Sequence, residues 1–338
     1  MFRKKIIIGN SIISENSKTF IIAEAGVNHN GSLKVAKQLI DLASFAGADA
    51  IKFQAFKTNN LIKKNTPKAP YQIKNMKEKN KEQYKMLKKL ELSKADNIKL
   101  YKYCKKKNIV FITTPYDLDS LFEIKNIGID TIKVASTDLN NLSFIEQIAK
   151  TKMNIILSTG MSTFDEINQA VKIIKKFNSK LIILQCTANY PIEDSEAGIK
   201  IINIFKQKYN CIIGYSDHSS GIGAGPYAVA MGAKVVEKHF TLNKSMSGPD
   251  HKASLDKKEI VKFIKEIRKV EDYLSLKNKI VTKSEIKNKL FLQKYIVAIK
   301  NIKKGEIFTK KNITTKRTGG KGIASYGSDN DMRLTGLH

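Results

Sequence analysis

The sequence predicts an α/β fold: a closed (β/α)8 barrel of the TIM type, preceded by an N-terminal hairpin and followed by a small β-rich domain. Three observations carry this reading. Eight short, β-rich apolar runs recur between residues 20 and 273, each followed by a stretch of helical spacing. The runs are almost continuously apolar, as in a parallel sheet covered on its outer face. Their span matches the roughly 250 residues of a (β/α)8 barrel. An open doubly wound sheet is the competing architecture, but it opens on a Gly-rich first turn. Gly-x-Gly-x-x-Gly is absent, although Gly221-Ile222-Gly223-Ala224-Gly225 has a superficial likeness to it.

Residues 4–14 read as a hairpin turning near Gly9-Asn10-Ser11. The eight strands follow at 20–24, 50–54, 109–113, 131–135, 154–158, 181–185, 211–214 and 234–237. Helical spacing is clearest in Leu33, Ala36, Leu39, Ile40, Ala43 and Ala46, and in Ile167, Ala170, Val171 and Ile174. After the second strand comes a long excursion, residues 55–82, with Pro67 and Pro70; loops of this length are usually functional. The expected domains are a barrel over 1–274, a Lys-rich linker over 275–293, and a small domain over 294–338. In the last, strands at 295–299 and 307–309 are expected to flank a turn at Lys304-Gly305.

The 338 residues exceed one ordinary domain, and 42% hydrophobic with 8% aromatic residues exclude wholesale disorder. No run approaches the roughly 20 apolar residues that cross a bilayer. The segment Met1–Ile8 is basic then apolar, but too short for a signal peptide and broken by Gly9-Asn10. Three scattered cysteines without Cys-x-x-Cys point to a reducing cytoplasm and read as core residues. The net charge of +29 suggests nucleic acid or an anionic membrane at first sight. Of the 60 basic residues, however, four are Arg, leaving 56 Lys spread over every helix. Nucleic-acid readers lean on Arg. The charge therefore reads as solvated helix faces, with no nucleic-acid or membrane partner and a general attraction for anionic substrates.

Barrel chemistry gathers at the C-terminal strand ends. Those ends deliver Glu24; Lys52 and Gln54; Thr114; Lys133, Ser136 and Asp138; Ser158; Asn189 and Tyr190; Ser216 and His218; and Glu237 and His239. Lys52 and Lys133 interrupt apolar strands, and a buried ammonium must meet an anion. A structural ion pair with Glu24 or Glu237 is one answer. Two lysines with hydroxyls at Thr114, Ser136, Ser158 and Ser216 also form a cradle for phosphate and carboxylate. A Schiff-base lysine is a third use. His218 and His239, on adjacent strands, suggest a divalent metal with open positions, Mn²⁺ or Mg²⁺, against a plain pair of hydrogen-bonded histidines. Asp250, in Gly248-Pro249-Asp250-His251, is placed to bind sugar hydroxyls or to make an ordinary turn.

Phe20–Gly31 (FIIAEAGVNHNG) resembles the opening of the sialic acid synthase family, N-acetylneuraminate synthase and related nonulosonate synthases. So do Ile51-Lys-Phe-Gln54, Thr113-Thr-Pro115, Lys133-Val-Ala-Ser136, Leu157-Ser-Thr-Gly-Met161, Tyr215-Ser-Asp-His218, Glu237-Lys-His-Phe240 and Gly248–Ala253, in order along the barrel. Residues 302–319 resemble that family's antifreeze-like (SAF) domain. The resemblance implies condensation of phosphoenolpyruvate with an open-chain N-acylated hexosamine, N-acetylmannosamine in type, plus water, giving a nonulosonic acid and phosphate. It implies that His218 and His239 hold Mn²⁺. Lys52, Thr114, Lys133, Ser136, Ser158, Asn189 and Ser216 then hold phosphoenolpyruvate, while Gln54, Tyr190, Asp250 and Glu24 meet the sugar or the catalytic water. It also implies a domain-swapped homodimer in which Arg317 of the partner chain reaches the N-acetyl group.

Two departures stand out. Asp138 lies where the family often has Glu, and Arg317-Thr318-Gly319 replaces Arg-Pro-Gly, followed by a tail over 324–338 unlike the family's ending. A 2,4-diacetamido-2,4,6-trideoxyhexose, leading to legionaminic or pseudaminic acid, is an alternative acceptor. An inactive barrel serving as a binding protein and a Schiff-base aldolase are the alternatives of other kinds.

Overall fold

The computed structural model describes residues 1–76 and 82–324, as two compact units that divide between Ser275 and Leu276. The altered tail over 325–338 and residues 77–81 of the excursion lie outside the described residues.

In the first unit, β1 (Lys5–Ile8) and β2 (Ser11–Ser14) form the antiparallel hairpin. Eight parallel strands then close into a barrel: β3 (Phe20–Gly26), β4 (Ala50–Ala55), β5 (Val110–Pro115), β6 (Thr131–Val134), β7 (Asn154–Ser158), β8 (Leu181–Cys186), β9 (Ile212–Asp217) and β10 (Val235–His239). The ring closes where β10 pairs with β3. The barrel is therefore the expected TIM-type fold, not an open sheet. Six strands run further at their C-terminal ends than expected, β4 and β8 by one residue, β3, β5 and β10 by two, and β9 by three. At these ends inward positions such as Glu24, Thr114, Ser216 and Glu237 are polar and break the apolar run by which a strand is recognised.

The alternation of side chains splits the apolar residues into two cores. Phe20, Ile22, Ala50, Ile112, Ile156, Ile182, Leu184, Ile212 and Val235 fill the barrel interior, and Ile6, Ile8 and Ile13 of the hairpin pack against them. The hairpin thus plugs the N-terminal mouth, anchored by Asn154 Nδ2 donating to the Ile7 carbonyl at 2.8 Å. The outward residues form the larger core against the helices. In the helix Phe164–Phe177 the buried residues are Ile167, Ala170, Val171 and Ile174, the stripe its spacing predicts, and a Thr163/Glu166 capping box starts it. Filling one end leaves the other, the C-terminal mouth, as the open pit. Among the described residues no helix is long and apolar enough to cross a membrane.

The excursion after β4 contains the helices Thr58–Leu61 and Pro70–Met76, and a further helix, Gln83–Leu90, follows it. The second unit begins with a helix, Lys283–Leu292, where the sequence suggests a plain linker; Thr282 and Glu285 cap it. There β11 (Tyr295–Ala298) pairs with β12 (Ile313–Lys316) and with β13 (Ile323–Ala324). The strand expected at 307–309 does not form. Asn312 instead accepts from Thr309 N at 2.7 Å and donates to the Ile307 carbonyl at 2.9 Å, tying that segment into a loop.

Candidate active site

At the height where the inward positions of the barrel turn polar, the strands bring together a buried cluster of opposite charges. Lys52 Nζ lies 2.8 Å from Glu24 Oε2, 3.9 Å from Glu237 Oε1 and 3.1 Å from Thr114 Oγ1. Lys133 Nζ lies 2.5 Å from Glu237 Oε1 and 3.4 Å from Ser216 Oγ, and Ser216 Oγ donates to Glu237 Oε1 at 3.3 Å. The two lysines thus answer two carboxylates within the barrel, and both face the pit. A bulge between Glu24 and Gly26 re-aims the end of β3 at this cluster.

Burial decides the protonation of these groups. It pushes Glu24 up to about 7, against the pull of Lys52, so this carboxyl is poised to give or take a proton near neutrality. Burial likewise opposes the charged forms of Lys133 and Glu237, but their mutual attraction outweighs it. Lys133 is held above its ordinary value and Glu237 below. An ammonium so held is a poor Schiff-base nucleophile. Glu237 Oε2 has no hydrogen-bond partner among the described residues.

A second group of donors sits beside the first. Ser136 Oγ donates to Ser158 Oγ at 3.0 Å and accepts from Gly160 N at 3.0 Å. A Cβ on Gly160 would come within 2.8 Å of Ser136 Oγ, so only glycine brings this backbone N–H so close. Asp138, in the short helix Ser136–Asp138, is pushed by burial up to about 6, and so is Asp250 on the loop after β10.

His218 and His239 face each other across the ends of β9 and β10, their ring centres 5.6 Å apart. His218 Nδ1 lies 2.8 Å from the Thr187 carbonyl, which assigns a proton to that nitrogen, so in the neutral ring the lone pair is on Nε2. His239 is buried, and burial together with the nearby His218 and lysines lowers its pKa well below the ordinary value, so it is a neutral ring. Its Nδ1 has no partner among the described residues. For His218, by contrast, burial also acts to lower the pKa, but Cys186 beside it holds it above its ordinary value. A divalent cation bound by both rings, its remaining positions going to water and substrate, would therefore displace a proton from His218. Among the described residues no third His, Cys, Asp or Glu completes a cluster with them.

A single cavity of about 720 Å³ joins these groups. Of the fifteen site residues expected from the sequence, thirteen line it: Glu24, Lys52, Gln54, Thr114, Lys133, Ser136, Asp138, Ser158, Asn189, Tyr190, His218, His239 and Asp250. Ser216 lies just behind the lining, bonded to Lys133 and Glu237. Arg317 is in the second unit, exposed, directly after β12.

Four features go beyond the sequence reading. Glu237 lines the pit itself and is more than a structural counter-ion. Cys186, expected as plain core, lies at the inward end of β8 with Sγ 3.7 Å from His218 Nδ1; burial would raise its pKa, but His218 beside it brings it to about 6. Tyr71 and Tyr116 join Tyr190 in an aromatic wall, with Tyr71 5.1 Å from Tyr190 and Tyr190 4.1 Å from His218 between ring centres. The excursion and the helix that follows it add a largely apolar rim of Leu61, Ile62, Met86, Leu87 and Leu90, with Gln72 and Gln83 among them. Alternation along β8 and β10 would have found the first two. No local pattern marks the last two, because tertiary folding of the excursion brings them in.

The sequence model of the NeuB family matches residues 39–279. The N,N'-diacetyllegionaminic acid synthase of Campylobacter jejuni is 45% identical over 89% of this chain and 90% of its own length. The human N-acetylneuraminate-9-phosphate synthase is 34% identical over 88% of this chain and 82% of its own. Among solved structures, the N-acetylneuraminic acid synthetase of Leptospira borgpetersenii, in complex with citrate, superposes with a TM-score of 0.75 at 37% identity, covering 83% of this chain and 93% of that one. The family model spans more than two thirds of the chain, and the matched region carries nearly all of the pit, so this chain belongs to the NeuB family and is a nonulosonate synthase.

Proposed function

We propose that the chain condenses phosphoenolpyruvate with an open-chain 2,4-diacetamido-2,4,6-trideoxyhexose of the kind that leads to legionaminic acid, releasing phosphate. The observation that carries this reading is the two-part cavity: a floor of Lys52, Lys133, hydroxyls and carboxyls beneath a rim of Leu61, Ile62, Met86, Leu87 and Leu90. A trianion fits the floor. A deoxy carbon and N-acetyl methyls pack on these apolar side chains, and Gln72 and Gln83, which also line the cavity, can bond the amide groups of such a sugar. Lys52 and Lys133 are the only lysines among the described lining residues of this cavity, while Lys63, Lys64, Lys68, Lys85 and Lys89 line neighbouring clefts shared with Leu61, Ile62, Met86 and Leu90. The similarity to the Campylobacter legionaminic acid synthase supports the same acceptor. N-acetylmannosamine, the other acceptor the sequence suggests, uses the same floor but less of the rim.

Roles follow from position. Lys52, Thr114, Lys133 and Ser216 hold the carboxylate and phosphate of phosphoenolpyruvate with Ser136, Ser158 and Asn189. Gln54, Tyr190 and Asp250 orient the sugar. C3 of phosphoenolpyruvate bonds to the aldehyde carbon, whose oxygen takes a proton. Water adds at C2, and the C2–O bond to phosphate breaks. Glu24 and Asp138, both raised toward neutrality by burial, are the groups able to move those protons. His218 and His239 would hold Mn²⁺ or Mg²⁺, which supplies Lewis-acid polarisation of the aldehyde when bound. Arg317 is proposed to act from the partner of a homodimer; the apolar Ile286, Leu290, Phe291 and Leu292, exposed on the helix of the second unit, suit burial by such a partner.

The experiment is an acceptor panel with phosphoenolpyruvate and Mn²⁺, with products identified by mass spectrometry. The diacetamido-trideoxyhexose should give the highest kcat/KM. A preference for N-acetylmannosamine, or for a 6-phosphate, overturns the acceptor assignment. Absence of product from every acceptor favours the inactive binding barrel.

A further inference from the structure

β9 and β10 run side by side with Ser216 level with Glu237 and Asp217 level with Lys238. Since side chains alternate across a strand, this register stacks three rungs. Ser216 and Glu237 face the pit, Asp217 and Lys238 face outward, and His218 and His239 face the pit again one step on. The outward rung is a closed, buried ion pair. Lys238 Nζ lies 3.0 Å from Asp217 Oδ2 and donates to the Ser219 carbonyl at 2.5 Å. One ammonium therefore holds both the residue before His218 and the residue after it.

Asp217 extends the grip. Its Oδ1 accepts from Ser219 N at 2.9 Å and its Oδ2 from Gly225 N at 2.9 Å. The glycine run 221–225, which the reaction itself does not explain, wraps this cluster. A Cβ on Gly223 would lie 1.9 Å from Ser219 Oγ and 3.0 Å from Lys238 Nζ, and its φ is +56°. Glycine alone allows that approach in that conformation.

Dehydrating two charges offsets most of their attraction, so a buried ion pair is weak evidence of added stability. Its value here is geometric. A slip of one residue between β9 and β10 would turn an imidazole out of the pit. We propose that Asp217, Ser219, Gly223 and Lys238 form an outer clamp that fixes the spacing of His218 and His239 and so sets the affinity of the pit for a divalent cation. They are positioning residues, and the inference rests on the metal reading made above.

The test uses Mn²⁺ alone, with free ion counted by electron paramagnetic resonance, and phosphoenolpyruvate binding measured separately without metal. Lys238→Met should weaken Mn²⁺ binding by about 10- to 100-fold, the usual effect of removing an outer support, and Ser219→Ala by a smaller factor of about 3 to 10. Phosphoenolpyruvate affinity should stay within about threefold in both, a split that general loosening would not give. Arg268→Met, which breaks the 3.0 Å pair with Asp49 at the opposite end of the barrel, should leave Mn²⁺ affinity within about twofold. Wild-type Mn²⁺ affinity in folded Lys238→Met overturns the clamp; if that variant does not fold, the same result in Ser219→Ala does so. Equal weakening of Mn²⁺ and phosphoenolpyruvate also overturns it. A wild-type protein that takes up no Mn²⁺ overturns the metal reading, and the clamp with it.

Discussion

Glu237→Gln separates the two uses of the buried lysines. Glu237 lies 2.5 Å from Lys133 and 3.9 Å from Lys52, and all three side chains are buried. At an effective dielectric of about 20 these pairs attract by roughly 7 and 4 kcal/mol, before the cost of dehydration is subtracted. Removing one partner of a buried pair costs about 3–5 kcal/mol, and the amide oxygen of Gln keeps a hydrogen bond worth about 1 kcal/mol. The barrel should therefore lose about 2–4 kcal/mol, read as a lower urea midpoint. The same change removes one negative charge from the cluster of Lys52, Lys133, Glu24 and Glu237 and makes it more positive by one unit. One unit charge about 6 Å from a bound anion is worth roughly 3 kcal/mol at that dielectric, so inorganic phosphate should bind at least about tenfold more tightly and restore part of the lost stability. The assay is a urea titration with and without phosphate. A midpoint unchanged without phosphate would refute the buried pairing. A variant that gains less from phosphate than the wild type would refute the anion cradle.

Other perturbations address the remaining groups. Asp138→Asn should stabilise the protein at pH 8. The folded carboxyl is raised to about 6 while the unfolded one titrates near 3.8, so the folded state binds more protons in between, and the wild type loses stability as pH rises through that window. The gain should be at most about 3 kcal/mol and vanish below pH 4; a gap that widens toward low pH contradicts the assignment. His218→Ala or His239→Ala should lower Mn²⁺-dependent turnover by at least about a thousandfold with unchanged circular dichroism, and full activity in either removes the metal assignment. Borohydride with pyruvate should leave Lys133 unmodified, because Glu237 keeps it an ammonium; a trapped adduct, seen by peptide mass, revives the aldolase reading.

The barrel was legible because its strands are nearly continuous apolar runs and its helices carry clean stripes, such as Ile167, Ala170, Val171 and Ile174. The strand ends were harder to place. Glu24, Thr114, Ser216 and Glu237 break the apolar pattern that marks a strand, so β3, β5, β9 and β10 read as two or three residues shorter than they are. The same break marks the pit, because inward positions turn polar at one height. Glu237 and Cys186 occupy inward positions that strict alternation identifies, yet a lone Cys in an apolar run reads as core. The rim residues Leu61, Ile62, Met86 and Leu87 carry no local signal, since their place depends on how the excursion folds back over the mouth. In the second unit, Ile307-Phe308-Thr309 has strand composition, but Ile307 is 80% exposed and Asn312 holds the segment as a loop.

The central claim, carbon–carbon bond formation with phosphate leaving from C2, is tested most directly in H₂¹⁸O. The Mn²⁺-loaded protein is given phosphoenolpyruvate and the diacetamido-trideoxyhexose, and the released phosphate is analysed by mass spectrometry. Phosphate free of ¹⁸O, formed only with acceptor present and matched by a nonulosonic acid product, is the expected result. Labelled phosphate, or phosphate released without the sugar, would contradict it.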